Sequence, residues 1–92
     1  MNLDDIRHDA VAQRFEMIVE GHACVLDYRL ADGIMTITHT RVPAAVGNRG
    51  IAAALTRNAL ETARASGWRA VAACSYAAAY IRRHPEYADL AS

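Results

Sequence analysis

Most of the features that mark a specialised environment are scarce or missing in this sequence. It has two cysteines, Cys24 and Cys74, far apart. Two are too few for a disulfide framework, so both read as free thiols of a cytoplasmic protein. No apolar run approaches the ~20 residues a membrane-spanning helix needs. The opening MNLDDIRHDA is acidic and polar, unlike a signal peptide. Neither sign of charge is in excess. Ten basic residues balance ten acidic ones, which removes the overall electrostatic footprint for nucleic acid or an anionic membrane surface. His8, His22, His39, His84 and the cysteines show no recognised ligand spacing, so no metal site is expected. There is no internal repeat, low-complexity tract or linker.

What remains is a chain of 92 residues, 53% hydrophobic, rich enough in apolar side chains to pack and too short for a second core. The reading is one domain over residues 1–92, whose first ten residues carry no pattern and are open to flexibility. A chain this size buries roughly 60–65% of its unfolded surface, so its stability margin is thin.

From Gln13 to Val19, Phe15, Met17 and Val19 alternate with Arg14, Glu16 and Ile18, the period of a half-buried strand. Glu20-Gly21 turns the chain, and His22 to Leu30 follows with Cys24, Leu26, Tyr28 and Leu30 on one face. Asp32-Gly33 is the strongest hairpin signal. Ile34 to Val42 is then a third strand, rich in Thr and Ile and closed by Pro43. Ile51 to Ala65 reads as a helix with Ile51, Leu55, Ala59 and Ala63 on one face, stopped by Gly67. Trp68 to Ser75 reads as a small-residue strand buried on both faces. Tyr76 to Arg83 is a short helix ended by His84-Pro85. The fold class is α/β: an antiparallel three-strand meander, a crossover helix, a strand parallel to the third, and a short C-terminal helix.

One stretch is costly without contributing to a core. Gly47-Asn48-Arg49-Gly50 lies between the third strand and the first helix. Successive N–H groups at a helix N-terminus form a concavity suited to phosphate oxygens. Gly50 would let a phosphate approach the backbone, Asn48 tolerates a left-handed conformation, and Arg49 could add a charge-assisted contact. A plain strand-to-helix turn is the alternative. Two familiar phosphate loops do not fit. There is no Gly-Lys-Ser/Thr, and a dinucleotide loop would follow the first strand of a parallel sheet.

The ordered motifs say more. His39-Thr40-Arg41-Val42-Pro43, then Gly47-Asn48-Arg49-Gly50-Ile51-Ala52, then Cys74-Ser75-Tyr76, Tyr80-Ile81 and His84-Pro85-Glu86-Tyr87 occur in this order. The set, running from about Phe15 to Leu90, resembles the small single-domain group of the GCN5-related N-acetyltransferases. That resemblance implies a minimal mixed sheet of the superfamily and a glycine loop that holds the pyrophosphate of acetyl-coenzyme A. It also implies that the backbone of Thr40, Arg41 and Val42 pairs with the pantetheine arm. The chain departs from the pattern at Gly47, where Arg or Gln is usual, at Asn48, which replaces a glycine, and at Arg41, where relatives often carry Glu.

By the same resemblance the cofactor contacts are Thr40, Arg41, Val42, Gly47, Asn48, Arg49, Gly50, Ile51, Ala52, Cys74 and Tyr80. Arg82 and Arg83 are candidates for the coenzyme's ribose phosphate, or else a solvated face. Three side chains are catalytic candidates. Cys74, at the end of the last strand, could take the acetyl group as a nucleophile or only contact the coenzyme. His39, placed by alternation with Met35 and Ile37, could act as a base or be a structural histidine. Tyr80 could protonate the departing thiolate or pack in the core.

The functional expectation is an acetyl-coenzyme A-dependent N-acetyltransferase acting on a primary amine, on a small molecule or a protein lysine. Two alternatives stand beside it: an acyl-coenzyme A-binding or sensing module without catalysis, and an interaction protein that kept only the fold. No nucleic-acid or membrane partner is expected, and the oligomeric state is open.

Overall fold

The hairpin signals translate directly into backbone geometry. In the computed structural model, which describes residues 5–91, Glu20 and Gly21 have φ of 49° and 78°, and Asp32 and Gly33 have 53° and 75°. Two consecutive left-handed residues match the twist of a tight hairpin. They join β2 (Arg14–Val19), β3 (His22–Ala31) and β4 (Ile34–Arg41) into the expected meander. A fourth antiparallel strand, β1 (Arg7–Asp9), precedes them. The pattern-free opening thus contributes structure, which three residues are too few to announce; Met1 to Asp4 lie outside the described residues. His8 supplies the contact, its ring stacked on Phe15 at 4.1 Å.

Among the described residues five strands, the last being β5 (Arg69–Ala72), lie in the order β1-β2-β3-β4-β5, antiparallel as far as β4 and parallel between β4 and β5. α1 (Ile51–Ser66) makes the crossover. Its face of Ile51, Leu55, Ala59, Leu60 and Ala63 is buried against Phe15, Met17, Leu26 and Ile37 of the sheet. Gly67 ends it left-handed at φ 75°, with Trp68 N donating to Ala63 O at 2.8 Å, which satisfies the carbonyls a helix end leaves free. The opposite face of the sheet carries Arg14, Arg29 and His39, all exposed.

Two expectations change. β5 spans only Arg69–Ala72 and is an edge strand, with Ala70 buried but Arg69 exposed and Val71 and Ala72 half-buried. Small apolar residues there reflect close packing on one side, not burial on both. The strand stops early because Cys74 caps α2 (Ser75–Arg83). Beyond α2, a 3-10 segment (Pro85–Leu90) buries Tyr87 and Leu90, and Ala91 bridges back to Ala70.

The second change is a bulge in β4. Tyr28 faces Ile37 but Asp27 faces His39, so Thr38 is an extra residue. One inserted residue inverts the alternation beyond it. Thr40 then shares the core face of Leu26, whereas His39 and Arg41 share the outer face of Asp27 and Val25. His39 therefore does not stand with Met35 and Ile37.

Candidate active site

Beyond β4 the chain is pinned at both ends of the glycine loop. Pro43 opens a 3-10 turn (Ala44–Val46) that buries Val46 at 1% exposure, and Ile51 at the start of α1 is equally buried. Between these anchors Asn48 is left-handed at φ 61° and Gly50 at φ 77°. Asparagine is the side chain that tolerates this conformation best, which explains how it stands in for a glycine.

Gly50 is the N-cap of α1 without a side-chain cap, and the first turn holds no acidic residue. The first bond of the helix runs from Ala54 N to Gly50 O at 3.0 Å. The N–H groups of Ile51, Ala52 and Ala53 therefore have no partner within the helix. The first turn likewise holds no carboxylate of its own to offset the positive end of the helix dipole. These groups border a hollow of 240 Å³ whose lining includes Val42, Gly47, Asn48, Gly50 and Tyr76. A Cβ built on Gly50 would meet nothing within 4 Å. The donor set, the free helix end and the open space fit a diphosphate.

Cys74 stands where the end of β5 meets α2. Its Sγ accepts a hydrogen bond from Ala77 N at 3.4 Å and lies 3.7 Å from Thr40 Oγ1. The β4 bulge makes this pairing possible, because it turns Thr40 inward. The same bulge sends His39 outward, beside the Asp27 that binds Arg14 at 2.6 Å. Among the described residues no imidazole or carboxylate is hydrogen-bonded to Cys74.

The remaining expected residues divide. Ile51 and Ala52 line the hollow with the loop. Arg49 lies in the loop but is ion-paired with Glu20 of the β2–β3 turn. Arg41, Arg82 and Arg83 are exposed. Tyr80 is 8% exposed and stacks on His84 at 3.9 Å, so it is held in the C-terminal aromatic cluster. It borders a different groove, with Arg57 and Glu61 on the flank of α1.

Tyr76 takes the position beside the loop. It is 40% exposed and lines the hollow. Partial burial pushes its phenol above the usual tyrosine range, opposed by nearby Arg83. The sequence marks Tyr76 only as part of Cys74-Ser75-Tyr76. The motif brings Tyr76 into the first turn of the helix capped at Cys74, but which tyrosine borders the loop is set by the packing of that helix. No group of three or more histidine, cysteine or carboxylate side chains suited to a metal occurs among the described residues. No helix in them is long and apolar enough to cross a membrane.

Residues 14–90 match the GCN5-related N-acetyl-transferase family, so the chain belongs to it. The fold is similar to the NMR solution structure of a GCN5-like putative N-acetyltransferase from Staphylococcus aureus. The two share 25% identity at a TM-score of 0.77, over 100% of this chain and 91% of the other. No curated protein matches the chain.

Proposed function

We propose that this member of the acetyltransferase family binds acetyl-coenzyme A at the glycine loop and transfers its acetyl group to a primary amine. The observation that carries the reading is the uncapped, acid-free start of α1 behind two left-handed residues. Bound there, acetyl-coenzyme A would supply an activated acetyl thioester. The N–H groups of the loop and of Ile51 to Ala53 would bind its diphosphate, and Gly50 would keep side-chain atoms out of the way. The backbone from Thr40 to Val42, at the end of β4 past its pairing with β5, would order the arm that leads toward Cys74.

Cys74 is the nucleophile of this reading. Its thiol would attack the thioester carbonyl, forming an S–acetyl bond on Sγ as the bond to the coenzyme A sulfur breaks. The thiol proton would leave with that sulfur, and the amine would then take the acetyl group and return a proton to Sγ. Ala77 N–H and Thr40 Oγ1 hold the sulfur in place. Tyr76, whose phenol lines the hollow, would relay the thiol proton to the departing sulfur. It takes the part that the sequence offered to Tyr80.

One observation favours a second reading, a coenzyme A-binding module without turnover: His39 faces away from Cys74, and among the described residues no base is bonded to the thiol. Titration calorimetry with acetyl-coenzyme A, coenzyme A and 3′-dephospho-coenzyme A tests the shared part. Saturable binding that Gly50→Leu weakens supports the loop's role, and absence of binding at millimolar ligand rejects both readings. Single-turnover assays with a panel of amines then separate them, because the binding module would bind without transfer.

A further inference from the structure

The glycine loop is firm at its ends and nearly free in the middle. Val46 and Ile51 anchor it by burial. Gly47 N donates to Ala44 O at 3.2 Å before it, and Ala54 N to Gly50 O after it. Among the described residues no backbone hydrogen bond outside the regular elements is donated by Asn48 or Arg49. The polar tether of this middle is a side chain from 29 residues away, the carboxylate of Glu20, which accepts from the Arg49 guanidinium.

The tether has a direction. Asn48 and Gly50 line the hollow and Arg49, between them, does not. Left-handed backbone on both sides, at 61° and 77°, leaves residue 49 free to project toward the β2–β3 turn. Glu20 is presented from the other side by that tight turn, with φ 49°.

We infer that Glu20 and Arg49 form a positioning latch. Glu20 draws the central side chain of the loop out of the hollow and so keeps the adjoining N–H groups open to a diphosphate. Arg49 is a positioning residue that shapes the loop without touching phosphate. The inference rests on the cofactor reading above and assigns Arg49 a role different from the phosphate contact first expected of it.

The test uses the whole chain and two readouts, 15N backbone order parameters at Asn48 to Gly50 in the ligand-free protein and calorimetric affinity for coenzyme A. Glu20→Gln and Arg49→Gln should each lower the order parameters of the loop. Each should weaken coenzyme A on the order of threefold, with a ceiling of about fivefold for one exposed ion pair. The charge-reversed double variant, Glu20→Arg with Arg49→Glu, should restore the order parameters and bring affinity back within about twofold. A phosphate ligand could not be exchanged for a carboxylate in this way.

Failure of that rescue, or tighter binding by Glu20→Gln, would make Arg49 a phosphate ligand that Glu20 holds back, and would overturn the latch. Wild-type binding that no variant alters overturns the latch alone. Wild-type protein that binds no coenzyme A overturns the cofactor reading and this role with it.

Discussion

Thr40 on β4 and Cys74 at the start of α2 are 34 residues apart in sequence, yet Oγ1 of one lies 3.7 Å from Sγ of the other. The contact joins the end of a bulged strand to the cap of a helix. Cys74, whose Sγ also accepts from Ala77 N, is both a structural acceptor and the proposed nucleophile, and substitutions separate the two roles.

Cys74→Ser keeps an oxygen acceptor at the N-cap and should leave stability within about 1 kcal/mol of the parent, whereas Cys74→Ala should lose about 1 kcal/mol of cap energy. Both should reduce transfer by about 10²-fold or more while sparing coenzyme A binding. The chain contains no lysine and Cys24 is fully buried. Hydroxylamine-labile acetyl label on the denatured protein therefore reports Cys74. Turnover unchanged in Cys74→Ser removes Cys74 from that role.

Asn48 can be tested by backbone strain. Forcing a branched side chain into left-handed backbone costs roughly 1–2 kcal/mol. Asn48→Val should thus lower the melting temperature by about 4–15 °C in a domain of this size. Asn48→Gly should be neutral or stabilising. Thermal unfolding checks both, and a Val variant as stable as the parent would contradict the φ of 61°.

Tyr76 and Tyr80 differ only by one helical turn in sequence and should respond oppositely. Tyr76→Phe removes a donor at the hollow and should lower turnover several-fold with little change in stability. Tyr80→Ala empties a buried aromatic site packed on His84 and Tyr87 and should cost about 3 kcal/mol. Kinetics beside unfolding curves read the difference. Equal stability losses in the two variants would contradict the placement.

Tyr87 links the C-terminal segment to α1, its hydroxyl donating to Glu61 Oε2 at 2.6 Å. Burial first, and then the Glu61 carboxylate, push its phenol up to about 12. Folding therefore favours the protonated form. The associated stabilisation, at most about 3 kcal/mol, is complete below tyrosine's ordinary value near 10 and is lost as pH rises through the folded value. Denaturant unfolding between pH 9 and pH 12 should show this loss in the parent and a weaker slope in Tyr87→Phe. Parallel slopes would refute it.

Much of this was legible locally. The pairs Glu20-Gly21 and Asp32-Gly33 each announce two left-handed residues, and strand alternation named Phe15, Met17, Leu26 and Tyr28 as core. The helix stop at Gly67 and the left-handed Asn48 follow from the same conformational limits, which act within a few residues. Motif order was enough to connect the chain with its family, and it named the loop and Cys74 as candidates.

Other features depend on partners distant in sequence. Thr38 looks like any strand threonine, and only its misfit against Asp27 and Tyr28 makes it a bulge; that one insertion decides that Thr40, not His39, faces Cys74. Whether Tyr76 or Tyr80 borders the loop depends on how α2 leans on α1 and on the C-terminal segment. Only the fold brings Glu20 beside Arg49. The sequence by itself determined the turns, the strand and helix periods and the position of the glycine loop, because these follow from backbone and side-chain preferences of neighbouring residues. The tertiary structure decided which side chains meet, because register, bulge and helix packing are set by contacts between elements.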